Sequence, residues 1–160
     1  ADFTICYGDL NNFKPFNDRY GYSRGNLVLK QTARLIQSAL AQHGGRDDFV
    51  GHIGGDDFVV VAATTRFEAI CLSTAEGFDA MIHDFYDAAD LEHGGITATD
   101  RHDRHTTFPV MTMTICAVNS ETSGVSDYIR VGEIAAELKA TGKAMEGSNL
   151  VIDRRDGLTR

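Results

Sequence analysis

The chain has 160 residues, 42% of them hydrophobic and 24% charged, values near the globular average. That length fits about one domain with a buried core, and no apolar run approaches the ~20 residues a membrane-spanning helix needs. A net charge of −8 argues against sequence-independent binding to nucleic acid, which depends on Lys and Arg neutralising phosphates, but leaves room for an anionic nucleotide carried by a metal ion.

Phe3 to Tyr7 is a β-branched and aromatic run that ends at Gly8-Asp9, so it reads as a buried strand delivering Asp9 to its C-terminal end. Leu10 to Tyr22 is polar and aromatic, punctuated by Pro15 and Gly21, and reads as a short helix or turn followed by a loop. From Asn26 the positions Leu29, Ala33, Ile36 and Leu40 recur at helical spacing until Gly44-Gly45 stops them. Phe49 to Ile53 and Phe58 to Ala62 then form two strands around Gly54-Gly55-Asp56-Asp57. Glycine tolerates positive φ, and paired carboxylates at a rigid strand end are placed to hold a hard cation.

A second helix carries Phe67, Ile70, Cys71, Phe78, Met81, Ile82 and Phe85 on one face. Gly94 to Thr99 and Phe108 to Val118 read as two strands around the charged turn Asp100-Arg101-His102-Asp103-Arg104-His105, the second of them central. In that turn acids and bases alternate, which favours a polar hairpin tip over a metal cluster. Ser126 or Asp127 is expected to cap a third helix bearing Ile129, Ile134, Ala135 and Leu138. Leu150 to Ile152 closes the sheet, and Asp153 to Asp156 reads as a polar tail. The three cysteines, Cys6, Cys71 and Cys116, are widely spaced in apolar segments, as buried thiols in a reducing, cytoplasmic compartment would be. The element order predicts an α+β fold with a mainly antiparallel central sheet flanked by helices.

If the first strand and the hairpin are neighbours, Asp9 and Asp56 converge from remote segments, as two rigid oxygen ligands for Mg²⁺ (or Mn²⁺) in phosphoryl or nucleotidyl transfer. Asp9-Leu10-Asn11-Asn12-Phe13-Lys14, Asn17-Asp18, Gly21, Gly25 and Gly54-Gly55-Asp56-Asp57-Phe58, in that order, resemble the GGDEF domain of diguanylate cyclases. The wording Phe13 to Asp18 with Tyr20-Gly21-Tyr22, and Gly51-His52-Ile53-Gly54-Gly55-Asp56-Asp57-Phe58, is similar to a subgroup found behind EAL and CBS domains, which would make residues 1–160 a single domain excised from a larger protein.

The resemblance implies a nucleotidyl cyclase or polymerase palm fold, and condensation of two GTP into cyclic di-GMP across a homodimer. It implies metal ligation by Asp9, Asp56 and the Leu10 carbonyl, backbone donors from Asn11, Asn12 and Phe13 to the phosphates, and phosphate charge from Lys14 and Lys143. It further implies guanine reading by Asn17 and Asn26, and a role for Asp57 in metal binding or in activating the 3′-hydroxyl. Four departures stand out. Asp57, one methylene shorter, stands where the family has Glu; Asn26 replaces the usual Asp, Asn11 stands where Asp is frequent, and Gly147-Ser148-Asn149 follows Lys143 late and without an Arg. The inhibitory Arg-x-x-Asp spacing also fails at Gly45-Arg46-Asp47-Asp48, leaving Arg46 and Asp48 as solvated loop charges. The alternative function is a degenerate module that binds GTP and regulates an attached phosphodiesterase without turnover; a third is another dinucleotide product using ATP.

Overall fold

A computed structural model describes residues 2–120 and 128–154. The order is β1 (Phe3–Asn11), α1 (Phe13–Tyr20), α2 (Tyr22–His43), β2 (Phe49–Gly54), β3 (Asp57–Ala63), α3 (Phe67–Ile82), α4 (Ala88–Glu92), β4 (Gly95–Thr99), β5 (His105–Pro109), β6 (Thr112–Asn119), α5 (Tyr128–Lys143) and β7 (Asn149–Ile152). A 3₁₀ turn at His83–Phe85 extends α3. The main sheet runs β2-β3-β1-β6-β7, antiparallel except for the parallel β6–β7 pair, as the α+β expectation requires.

Strand alternation sorts the side chains of β1 between two layers. Cys6, Gly8 and Leu10 look toward the large core, where Ile36 of α2 and Ile70, Cys71 and Phe78 of α3 are buried. Ile5 and Tyr7 look the other way, against Val131, Ile134 and Leu138 of α5. Asp9 shares their parity, so the chain's two-residue period puts this acid on the α5 side. Gly142 lets α5 seat closely, because a Cβ there would strike the Thr114 and Asn149 side chains of β6 and β7.

Several boundaries differ from the sequence reading. The run Phe108 to Val118 is not one strand: Pro109, which has no N–H to offer a ladder, ends β5, and β6 starts anew at Thr112. The β4–β5 hairpin therefore forms its own two-stranded sheet. Helix α2 starts at Tyr22, and α4 was not foreseen; Tyr86, just before it, accepts the Met111 N–H at 2.9 Å. Ile129 is exposed on α5, where Val131 takes the buried position. Asp153 is no solvated tail residue but is buried, its N–H donating to Ala117 O at 2.9 Å. The expected caps Ser126 and Asp127 lie outside the described residues, as do Arg155 and Asp156.

The polar hairpin tip is as expected, with Asp100 accepting from the backbone of His102 and Arg104 and from the Arg104 side chain. All three cysteines are buried and free.

Candidate functional site

The hairpin tip is shaped by Gly54 and Gly55, whose φ values of 124° and 54° belong to glycine. Their turn projects Asp56, and Asp57 opens β3 directly opposite Asp9 in the β1–β3 register. The three residues each offer a carboxylate oxygen within 4.8 Å of the others. Like charges facing each other across strands repel, so this arrangement needs cationic company.

Helix α5 supplies it. Lys139 Nζ lies 3.0 Å from Asp9 Oδ1 and 3.9 Å from Asp57 Oδ1, and Lys143 Nζ lies 3.3 Å from Asp9 Oδ2. Asp9 is 7% exposed, and its Oδ2 takes no hydrogen bond. Burial, reinforced by the Asp9 charge, raises the Asp56 carboxyl. Burial likewise raises Asp57, with the hydrogen bond and charge of Asp9 adding to it. Burial acts to lower the Lys139 ammonium, but its hydrogen bond to Asp9 and the three carboxylate charges outweigh that and raise it. An all-oxygen set of three carboxylates, one buried with an oxygen lacking a hydrogen bond, fits a hard divalent ion such as Mg²⁺ or Mn²⁺.

Lys139 was missed in the sequence reading. It stands four residues before Lys143, so both ammonium groups issue from one face of α5, a spacing that could have revealed it. The late Gly147-Ser148-Asn149 has a structural job: Ser148 donates to Asp79 of α3 and accepts the Met113 N–H at 2.8 Å. A cavity of ≈ 300 Å³ adjoins the cluster, walled by Tyr7, Phe58, Cys116 and Ala135 among others.

The remaining residues lie around the start of α1. Asn12, at φ 66°, turns the chain into α1, which has no side-chain cap at its N-terminus. Such a terminus leaves N–H groups free for an anion. Leu10 is buried in the core. The Asn11 Nδ2 donates to Thr112 and Thr114 Oγ1 at 3.0 and 2.8 Å, while its buried Oδ1 takes no hydrogen bond. Phe13 is half-buried beside Gly25. Lys14 is not brought to the cluster: its Nζ pairs with Asp18 at 2.7 Å in an exposed position. Asn17 Oδ1 is buried without a hydrogen bond, against the bare Cα of Gly25. Asn26 is exposed on α2 and lines a separate cavity of ≈ 280 Å³ with His52 and Phe58.

Asp48 contradicts its reading as a solvated loop charge. Its side chain is 3% exposed and accepts from Arg66 Nε and Nη2 and from the Gly45 and Ala63 N–H groups. Arg66 holds its carboxyl down at about 2, against the smaller opposing pull of burial.

A family model described as "Diguanylate cyclase, GGDEF domain" matches residues 1–135. Among curated proteins, the chain is similar to diguanylate cyclase DgcP of Escherichia coli, 28% identical over 131 residues that cover 82% of this chain and 33% of that protein. A diguanylate cyclase of Vibrio cholerae is 38% identical over 60 residues, 38% of this chain and 17% of the relative. The chain thus spans a third or less of the length of these two relatives. Among solved structures, the active GGEEF domain of a diguanylate cyclase from Vibrio cholerae superposes with a TM-score of 0.62 at 21% identity, covering 98% of this chain and 85% of that one.

Proposed function

The chain belongs to the GGDEF-domain diguanylate cyclase family, and from that premise we propose that it condenses two GTP into cyclic di-GMP across a homodimer, releasing two pyrophosphates. The observation that carries the reading is the meeting of Asp9, Asp56 and Asp57 within 4.8 Å, drawn from β1 and the β2–β3 turn and faced by two lysines. Asp9, Asp56 and the Leu10 carbonyl would hold Mg²⁺ or Mn²⁺. Bound there, the ion supplies charge neutralisation and Lewis-acid polarisation for the triphosphate.

The chain's own groups do the rest. Backbone N–H groups of Asn11, Asn12 and Phe13, at the entry to α1, bind phosphate oxygens, and Lys139 and Lys143 add positive charge to the same region. Lys14 joins them by leaving Asp18, an exchange of exposed partners that costs little. The unpaired Asn17 Oδ1 accepts from the guanine edge, and the Asn26 amide assists. Asp57, its carboxyl raised by burial and by Asp9, accepts the 3′-hydroxyl proton. Incubation with Mg²⁺ and GTP, followed by chromatography, is expected to yield cyclic di-GMP from the wild type and none from Asp57→Asn. Nucleotide binding without product in the wild type would overturn the cyclase reading.

One observation favours a second reading, a module that binds GTP and regulates a linked phosphodiesterase without turnover. Asn26 is an exposed amide rather than a carboxylate, so it offers a base-facing N–H₂ group as well as an acceptor. Covered by a bound base and left unpaired there, such a donor costs about 1–3 kcal/mol, enough to weaken guanine selectivity and to admit ATP into a mixed product. Nucleotide binding that is lost in Asp56→Ala, with no dinucleotide formed from GTP or from GTP with ATP, identifies the module.

The proposal extends to context. The segment around Phe13 to Asp18 supports membership of the subgroup linked to EAL and CBS domains, with residues 1–160 as one domain of a cytoplasmic multidomain protein. The three buried free thiols suit a reducing compartment. Among the described residues no helix is long and apolar enough to cross a membrane. The coding sequence on either side of this chain tests the arrangement.

A further inference from the structure

We propose that the cavity between α1 and the β4–β5 hairpin is a binding site for a small planar aromatic acid, and that its occupant holds Lys14 away from nucleotide phosphate. The site follows from geometry alone, whereas its effect on nucleotide rests on the phosphate role proposed for Lys14. The cavity measures ≈ 510 Å³. Small-molecule sites fall in this size range and combine apolar walls with a few placed polar groups. The hairpin supplies the apolar wall. Ile96 and Phe108 stand opposite each other across β4 and β5, Ile96 buried and Phe108 packed against the core, and Ala98 continues that face two residues along. Across the cavity, Lys14, Pro15, Asp18 and Arg19 form one face of α1. Asn17, which meets Gly25 of α2, belongs to another face, because a helix turns about 100° per residue.

Charge selects the occupant. Lys14 and Arg19 against Asp18 give the lining one net positive charge, in a chain whose net charge is −8. Arg19 is held from outside the lining by Asp90, whose side chain is 15% exposed. Lys14 is the movable cation: its side chain is 85% exposed, and that of its partner Asp18 is 59% exposed. Such an exposed pair is weak, so a carboxylate seated in the cavity draws Lys14 from Asp18 at little cost, and Asp18 turns to solvent. An aromatic body then covers Ile96, Ala98 and Phe108 while its acid meets Lys14 and Arg19. A lysine engaged there is withdrawn from a triphosphate. Occupant and nucleotide therefore oppose each other, each weakening the other by the same factor.

The test is titration of 2-naphthoate into the ¹⁵N-labelled chain without nucleotide, followed by amide NMR, for wild type, Ala98→Trp and Lys14→Gln. Saturable shifts are expected at Ile96, Ala98 and Phe108 in the wild type, with binding about tenfold weaker in Lys14→Gln. Ala98 is exposed on β4, where an aromatic residue suits a strand, so Ala98→Trp is expected to fold, fill the cavity and abolish the shifts. Absence of shifts at these residues in the wild type, or equal shifts in Ala98→Trp, overturns the site. Should Ala98→Trp not fold, the uncharged 2-naphthylmethanol carries the comparison: it is expected to bind about tenfold more weakly than naphthoate, and equal binding refutes the charge argument. A second arm measures a non-hydrolysable GTP analogue in Mg²⁺ at saturating naphthoate. Its affinity for the wild type is expected to fall about fivefold or more, and an unchanged affinity overturns the coupling. Failure of the analogue to bind the wild type at all overturns the functional reading and the coupling together, while the naphthoate shifts still decide the site.

Discussion

Removing the Asp48 carboxylate perturbs the base of the β2–β3 hairpin without touching its tip. The group is 3% exposed and gathers two guanidinium N–H bonds from Arg66 at 2.8 and 3.0 Å, with backbone N–H bonds from Gly45 at 2.7 Å and Ala63 at 3.0 Å. A carboxyl held at about 2 rather than the ordinary 3.8 corresponds to about 2 kcal/mol of native-state stabilisation. Arg66 is 38% exposed, so solvent screening trims its share, and about 1–2 kcal/mol is the working figure. The sign follows from the depressed native value. The contribution is complete above the unfolded carboxyl's range near 4 and is lost as the pH falls through it toward about 2. Urea unfolding of wild type and Asp48→Asn is expected to show a constant gap of about 1–2 kcal/mol from pH 7 to 5, narrowing below pH 4. Six residues of β2 separate this clamp from the tip, roughly 20 Å of strand, so Mn²⁺ binding at the acidic cluster should be unchanged. Equal stabilities at pH 7, or a gap that persists undiminished at low pH, would refute the reasoning.

Gly25→Ala should place a Cβ into Asn17 Oδ1 and turn that amide aside. GTP affinity is expected to fall about tenfold, an effect of the order of one polar contact, with the melting temperature held or raised by the helix-favouring alanine. Direct binding of a fluorescent GTP analogue beside a thermal melt checks both. Tyr20→Phe removes the hydroxyl that donates to Asp90 and accepts the Asp87 N–H at 3.1 Å, and is expected to cost about 1–2 kcal/mol in urea unfolding. An effect under about 0.5 kcal/mol would show that α1 is not latched to α4 through this group. Cys6, Cys71 and Cys116 are all buried, and burial pushes the Cys116 thiol up to about 11. At pH 8 none should react with an aromatic disulfide reagent until urea unfolds the chain; rapid labelling of the native protein would contradict their burial.

How much of this was readable in the chain follows from the range of the interactions concerned. The turn at Gly54-Gly55 announces itself locally, since two residues needing positive φ sit between two apolar runs. Asp9 was legible as a strand-end acid, and its side of the sheet follows from counting by two from Ile5 and Tyr7. The break at Pro109 was available from a missing N–H but was masked by the long apolar run that continues through Val118. What stayed hidden depends on partners far along the chain. Lys139 looks like a surface lysine until α5 is laid across β1 and β6, and Asp48 looks like a loop charge until Arg66 folds over it. The buried acceptor of Asn17 is likewise created by the proximity of Gly25, one helix later.

The central claim is that Asp9 and Asp56 hold a divalent cation beneath a triphosphate. Calorimetric titration of a non-hydrolysable GTP analogue in Mg²⁺ and in EDTA, for wild type and Asp56→Asn, tests it most directly. The account requires tight binding by the wild type only in Mg²⁺, and weak binding by Asp56→Asn that Mg²⁺ no longer improves. Equal affinity in EDTA, or a Mg²⁺ effect that survives in Asp56→Asn, would contradict it.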